Sequence, residues 1–268
     1  MGPAGGVDRT GRRRPVLSES DRALLRDGLA AVDAARGGRE SSSRITAAGN
    51  AADSAVSPVT SAVLCAALER YLEELLLWSR RTNLVKFDLP RDLIVRHVLD
   101  SLAAAPIIEQ LLAEDGPQRG RSRVCDVGSG AGFPGIPLAL YLPLGEVVLL
   151  ERSAARAAFL RTVCALLDRP GLSVSQTDLA AVDQTFDVLL VRALSPFDDR
   201  AVGQLARILA AGGALLVYQG REAKTAATAE RLSRVFEDVR TVPVNVPLLK
   251  AQRHVIVARQ PRGVRTSC

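Results

Sequence analysis

The stretch VCDVGSGAGFPGIPL, residues Val124 to Leu138, decides the fold of this chain. Short apolar residues at its start are typical of a buried strand, and four glycines follow. Pro134 and Pro137 then stand where a helix can begin. A strand, a glycine turn and a helix start together favour a nucleotide pocket, because glycine lets the backbone approach a ligand and the helix start offers free N–H groups. A tight structural turn is the alternative that the glycines alone leave open.

The next predicted strand, Val147 to Leu150, is followed by the acid Glu151, about 20 residues after the glycine turn. A carboxylate at this position can accept both hydroxyl groups of a ribose. Dinucleotide dehydrogenases share this layout with methyltransferases that use S-adenosyl-L-methionine (AdoMet). Asp126 favours the methyltransferases, because an acid two residues before Gly128 would repel the pyrophosphate of a dinucleotide.

The composition favours a globular protein that can bind an anionic partner. The chain has 268 residues, 47% of them hydrophobic, and a formal net charge of +6, which permits a partner such as nucleic acid. It has no apolar run long enough to span a bilayer and no signal peptide at its start, so we expect a cytoplasmic protein with no membrane partner. The four cysteines contain no C-x-x-C pair, so we expect neither a disulfide framework nor a metal site.

The distribution of apolar and polar residues divides the chain into four predicted parts. Residues 1–57 are rich in small and polar residues, and we expect a disordered or loosely helical extension that the core does not need for folding. Residues 58–122 contain strong helical patterns and predict a helical cap. Residues 123–260 form the predicted AdoMet-binding domain, and residues 261–268 form a mobile tail.

Strands and helices alternate from Val124 onward, which is typical of a parallel sheet with crossover helices. We therefore predict an α/β fold: a doubly wound, mostly parallel, seven-stranded Rossmann-like sheet of the class I methyltransferase kind, preceded by the helical cap. The last two strands, about 239–246 and 254–258, are predicted to form a hairpin that contains the antiparallel member. Gly212 and Gly213 are predicted to stop the helix that precedes the fifth strand.

Separated motifs along the chain together resemble the RsmG/GidB family. They are Asn83-Leu84, RHVLDS at 96–101, DVGSGAGFPGIPL at 126–138, Arg192-Ala193 and Arg253-His254. The resemblance extends from about residue 59 to residue 259. The family comprises bacterial AdoMet-dependent methyltransferases that act on N7 of a guanine in small-subunit (16S) ribosomal RNA. The resemblance therefore implies AdoMet as the cofactor and this RNA, or the small ribosomal subunit, as the partner of a monomeric enzyme.

The resemblance also implies the residues of the site. The residues that would line the cofactor pocket are Gly128, Phe133, Glu151, Asp178, Leu179 and Arg192. Arg192, at the end of the fourth strand, would also orient the target and would act neither as an acid nor as a base. His97 would belong to a hydrogen-bonding network that supports the pocket. The residues that would contact RNA are Arg96, Arg156 and Arg253.

Three positions depart from the family pattern. Val85 stands where the family commonly has Thr, and Ala155 and Gln219 stand where it commonly has Lys. These departures favour a methyltransferase of the same fold with another substrate as one alternative. A nicotinamide-dependent reductase and a cofactor-binding module without catalysis are the others. The target nucleotide stays open, as does the choice between naked RNA, an assembly intermediate and the mature subunit.

Overall fold

The computed structural model of the chain describes residues 16–43, 58–114, 122–220 and 222–262. Its helices are α1 (Glu19–Ser43), α2 (Pro58–Ser79), α3 (Pro90–Leu93), α4 (Asp100–Leu102), α5 (Ala105–Glu114), α6 (Gly135–Tyr141), α7 (Ala154–Leu167), α8 (Asp199–Arg207) and α9 (Glu222–Ser233). A π-helical segment, Ile94–Leu99, joins α3 to α4, and Leu179–Ala181 is a short 3-10 helix. Its strands are β1 (Arg123–Val127), β2 (Glu146–Leu150), β3 (Leu172–Ser175), β4 (Phe186–Arg192), β5 (Leu209–Gln219), β6 (Phe236–Val244) and β7 (Arg253–Pro261). Residues 1–15 and 44–57 of the predicted extension and most of the predicted tail lie outside the described residues.

The seven strands form one sheet in the order β3-β2-β1-β4-β5-β7-β6. Strands β1 to β5 pair in parallel, and β7 runs antiparallel to both β5 and β6. The predicted fold class is therefore confirmed, including the hairpin that holds the antiparallel strand. The strand order reverses between β1 and β4, and open α/β sheets bind ligands at the carboxyl ends of the strands beside such a reversal.

Helices cover both faces of this sheet because its central strands are apolar on both sides. In β4, Val188 and Leu190 pack into a core shared with the helical cap, whereas Leu189 and Val191 pack into a second core on the opposite face. This alternation follows the two-residue period of a strand. The run of apolar residues that predicted a buried strand thus serves two cores at once.

Gly212 and Gly213 lie inside β5 rather than at the end of a helix, so the predicted helix stop is wrong. Helix α8 already ends at Arg207, and β5 begins at Leu209. The pairing of β4 with β5 shifts register near this point. A Cβ at residue 213 would lie 2.7 Å from the carbonyl oxygen of Asp187. The glycines therefore allow an irregularity in the strand where two backbones approach closely.

Helix α1 packs on the cap, so the expectation of a loose extension is wrong for this helix. Leu25 and Leu29 are fully buried in the core that the cap shares with the sheet. Arg22 forms ion pairs with Glu69 and Glu73 of α2. Leu25, Leu29 and Val32 recur at helical spacing in the sequence, but the polar stretches on either side of α1 outweigh this apolar stripe in the composition of residues 1–57.

In the described ranges, no helix is long and apolar enough to cross a membrane. No group of three or more His, Cys, Asp and Glu side chains within them is placed to hold a metal ion.

Candidate active site

The glycine turn between β1 and α6 is closed by a buried carboxylate. Asp126 accepts hydrogen bonds from the Ser129 hydroxyl (2.7 Å) and from the backbone N–H of Gly135 (3.0 Å). Its burial raises the pKa of this carboxyl to about 6, although the two hydrogen bonds act in the opposite direction. Gly128 has a φ of +72°, and a Cβ there would lie 2.9 Å from Leu194. Asp126 therefore sets the loop, and glycine is needed where the loop leaves the strand.

A cavity of about 470 Å³ opens at the carboxyl ends of β1 and β2, and we call it the Glu151 cavity. Four of the predicted cofactor residues line it together: Gly128, Glu151, Asp178 and Leu179. The Glu151 carboxylate is only 4% exposed and accepts hydrogen bonds from the N–H groups of Gly130 (3.0 Å) and Ser153 (2.8 Å). These two bonds hold the carboxylate in a fixed orientation in the wall of the cavity.

Two further predicted residues occupy other places than expected. Phe133 does not line the Glu151 cavity, because its ring is buried against Tyr71 and His97, with centroid distances of 5.4 and 5.0 Å. Arg156, predicted to contact RNA, lines the Glu151 cavity instead. It lies in the first turn of the helix after β2, so it is close to the strand end that carries Glu151.

A second cavity of about 730 Å³ lies at the ends of β4 and β5 beside α9, and we call it the Arg192 cavity. It shares the wall Ala193–Ser195 with the Glu151 cavity. The cationic side chains that line it are Arg192, Lys224, Arg231 and Arg253. Gln219 also lies here and donates a hydrogen bond to the Thr228 hydroxyl (3.2 Å). Two ligand-sized spaces therefore meet at the loop that follows β4.

Arg192 lines the Arg192 cavity but not the Glu151 cavity, and its guanidinium is held by the cap. Its Nη2 donates to the backbone oxygen of Arg96 (2.8 Å) and lies 3.0 Å from Nδ1 of His97. Burial, followed by the nearby charge of Arg192, lowers the pKa of His97 to about 4. His97 is therefore neutral at pH 7, and its Nδ1 accepts from the arginine. The predicted supporting network around His97 is present.

The other two residues predicted to contact RNA differ in their exposure. The side chain of Arg96 is 63% exposed and lies 3.4 Å from Asp92. The side chain of Arg253 is 22% exposed, and its Nε donates to Asp100 (2.9 Å). Arg96 is therefore free to meet a large partner at the surface, whereas Arg253 faces the Arg192 cavity from inside the protein.

Sequence reasoning missed Arg231 of the Arg192 cavity, and it also missed Lys224. Lys224 is an exposed residue near the start of α9, the helix that follows β5. A signal was present, because residues just after a parallel strand lie at the ligand-binding edge of the sheet. Tyr218 was missed as well, and its hydroxyl donates to the backbone oxygen of Ser101 (3.0 Å), which ties β5 to the cap.

Residues 64–256 match the family model described as GidB, rRNA small subunit methyltransferase G. The chain belongs to this family. It is 37% identical over 209 residues to ribosomal RNA small subunit methyltransferase G of Treponema pallidum (strain Nichols), covering 75% of this chain and 88% of that protein. The protein of the same name from Nitrosococcus oceani is 34% identical over 195 residues, covering 72% and 85%. Family membership confirms the resemblance found in the motifs.

The enzyme class and the cofactor follow from the family. Its members are methyltransferases, which confirms the predicted AdoMet-dependent enzyme. Among solved structures, magnesium protoporphyrin IX methyltransferase of Synechocystis PCC 6803 with bound SAH is similar with a TM-score of 0.47 and 16% identity, covering 68% of this chain and 92% of that one.

The family match begins within α2, so α1 lies outside it.

Proposed function

We propose that this enzyme transfers the methyl group of AdoMet to N7 of a guanine in small-subunit ribosomal RNA. The observation that carries the proposal is the shared wall at Ala193–Ser195, which joins the Glu151 cavity to the cation-lined Arg192 cavity. The relatives named above act on this RNA, and the net charge of +6 suits a polyanionic substrate.

The Glu151 cavity offers hydrogen-bond acceptors and an apolar surface that suit AdoMet. Each oxygen of Glu151 accepts one backbone N–H and keeps capacity for a second hydrogen bond, so the carboxylate can bind both ribose hydroxyls. Leu179 offers apolar surface to the adenine ring. Asp178 accepts a hydrogen bond from the N–H of Ala180 (3.0 Å), which fixes the loop beside that surface. Bound AdoMet supplies a methyl group made electrophilic by its sulfonium.

The chemistry assigned to the Arg192 cavity needs orientation and no base. Guanine N7 has a lone pair and no proton, so the bond from N7 to the methyl carbon would form as the methyl–sulfur bond breaks, without deprotonation, and the positive charge would pass from the sulfur to the base. Arg192 remains a cation throughout and can donate to O6 of the guanine or to a phosphate. His97 is neutral and its Nδ1 accepts a hydrogen bond from Arg192, so it does not act as an acid or a base. Holding N7 in line with the methyl group is therefore the main task of the site.

The RNA is bound by cations from three elements. Arg192 comes from β4, Lys224 from α9 and Arg253 from β7, and all of them line the Arg192 cavity. Arg96 extends this charge to the surface of the cap. We propose that the enzyme acts as a monomer in the cytoplasm and that its substrate is the small subunit or its RNA.

Tritiated methyl transfer tests the function. The substrates are small subunits, their extracted RNA and total transfer RNA from a strain in which the gene is deleted. The proposal predicts incorporation into small-subunit RNA, with the label at N7 of one guanine. Incorporation into transfer RNA alone would favour a methyltransferase with another substrate, the alternative that Gln219 in the Arg192 cavity supports. Binding of NAD(H) in place of AdoMet would favour the reductase.

A further inference from the structure

We propose that Asp100 is a positioning residue that holds Arg192 and Arg253 side by side in the wall of the Arg192 cavity. Its two carboxylate oxygens serve different arginines: Oδ2 lies 3.3 Å from Nη2 of Arg192, and Oδ1 accepts from Nε of Arg253 at 2.9 Å. The two arginines come from β4 and β7, which β5 separates in the sheet. One side chain of the cap therefore links two strands that a third strand separates.

The electrostatics require an anion at this point. The side chains of Arg192 and Arg253 are 17% and 22% exposed, so their mutual repulsion is poorly screened by solvent. Asp100 itself is buried, with a side chain that is 7% exposed, and a buried carboxylate is stable only when it is paired. The charges of Asp100, Arg192 and Arg253 therefore stabilise one another. If the charge of Asp100 is removed, the two arginines repel each other and move apart.

The cap fixes the place of Asp100 through its own backbone. Asp100 follows the π-helical segment Ile94–Leu99, in which the backbone oxygen of Arg96 accepts from Arg192. Next to it, Ser101 accepts a hydrogen bond on its backbone oxygen from the Tyr218 hydroxyl of β5. Segments of π-helix often occur at functional sites, where they redirect backbone groups. Here the segment presents acceptors to an arginine of the sheet.

The two arginines depend on Asp100 to different degrees. Arg192 keeps other partners on the cap, including the Arg96 oxygen and Nδ1 of His97. The only other acceptor seen for Arg253 in the described part of the chain is the backbone oxygen of its neighbour Gln252 (3.1 Å). Loss of the Asp100 charge should therefore release Arg253 more than Arg192. On the proposed function, on which this assignment rests, Arg253 contacts a phosphate of the nucleotide whose base Arg192 orients.

Asp100→Asn is the direct test, because it keeps the shape and removes the charge. We expect kcat on small subunits to fall about tenfold or more, while the Kd for AdoMet in calorimetry stays within about twofold, since Asp100 does not line the Glu151 cavity. Asp238→Asn, on the exposed part of β6, is the matched control and should change neither value. Parallel losses in kcat, AdoMet affinity and melting temperature would mean that Asp100 only stabilises the fold.

A double-mutant cycle tests whether Asp100 acts through Arg253. Arg253→Gln should lower kcat in the wild-type background and have much less effect in Asp100→Asn, because the arginine is already released. Additive losses would overturn the assignment. If Asp100→Asn does not fold, Arg253→Gln alone still tests the proposal. A wild-type kcat in Arg253→Gln would mean that Arg253 is not needed, and the proposed positioning of the two arginines would be refuted.

An NMR measurement keeps the assignment separate from the identity of the substrate. The Nε–H of Arg253 should exchange with water at least about tenfold faster in Asp100→Asn than in the wild type, because its carboxylate acceptor is lost. An unchanged exchange rate would overturn the positioning role. A wild-type enzyme that is inactive on ribosomal RNA, with faster exchange in the variant, would refute the proposed function alone.

Discussion

Glu151→Gln tests where AdoMet binds, because this substitution removes one acceptor and almost no volume. The carboxylate is 4% exposed, and each of its oxygens accepts one backbone N–H, from Gly130 and from Ser153. Glutamine has one oxygen and one NH₂ group, so one of these N–H groups would face a donor. The ribose would lose an acceptor at the same time.

The expected loss in affinity for AdoMet follows from the loss of this one hydrogen-bond acceptor. A hydrogen bond to a charged group contributes about 1.5–3 kcal/mol. Loss of one such bond to the ribose corresponds to a Kd for AdoMet that is about ten- to a hundredfold higher. Any strain at Gly130 or Ser153 would add to this loss, because the same carboxylate holds the turn that forms the cavity.

Isothermal titration with AdoMet measures the effect, with Glu146→Gln as the control. Glu146 lies at the other end of β2, where it pairs with Arg123 and is 43% exposed, so its replacement should leave the Kd unchanged. A folded Glu151→Gln protein with wild-type affinity would refute the placement of the ribose at this carboxylate. Equal losses in both variants would indicate a general effect on the sheet.

Four other predictions concern the target, the RNA, the N-terminal helix and pH. Arg192→Lys keeps the charge and loses the planar fork, so the single-turnover rate of tritiated methyl transfer should fall about tenfold or more with AdoMet affinity unchanged. Lys224→Gln should reduce the slope of log K against log salt for RNA binding by about 1, measured by fluorescence anisotropy. Leu25→Ala should lower the free energy of unfolding in urea by about 2–5 kcal/mol, whereas a dispensable α1 would give no change. The single-turnover rate should be nearly independent of pH from about 7 to 9, because His97, with its pKa lowered to about 4, is neutral throughout. The rate should fall in acid, first as the Asp126 carboxylate that sets the glycine turn, with its pKa raised to about 6, is protonated, and then as protonated Nδ1 of His97 no longer accepts from the arginine. A rate that rises with pH between about 7 and 9 would require a general base and refute this chemistry.

The sheet and the cofactor edge could be predicted because local patterns determine them. Apolar runs such as Val188–Val191 identify strands that are buried on both faces. The parallel topology brings the ends of β1, β2 and β4 to one edge, so the sequence predicts that Gly128, Glu151 and Arg192 lie near each other. The short-range pattern of apolar residues and a general rule of sheet topology are therefore sufficient to predict the sheet and its ligand-binding edge.

The predictions that failed concern contacts between segments that are distant in the sequence. The packing of α1 depends on a face of the cap more than 40 residues later in the chain, and its composition contains no sign of that partner. Phe133 lies in the glycine turn, yet its ring turns away from the Glu151 cavity because Tyr71 and His97 of the cap surround it. Arg156, which the resemblance predicts to contact RNA, lines the Glu151 cavity, and its contact with RNA stays a prediction.

The cap explains why an arginine at a strand end can be an orienting group. A strand fixes the Cα of Arg192, but its long side chain keeps several rotamers unless acceptors hold the guanidinium. The acceptors come from one short segment of the cap, namely the Arg96 oxygen, the neutral His97 ring and the Asp100 carboxylate. Because α1 packs against this segment so closely that a Cβ at Gly28 would lie 2.5 Å from Leu99, a helix outside the family match supports the part of the cap that holds the Arg192 guanidinium.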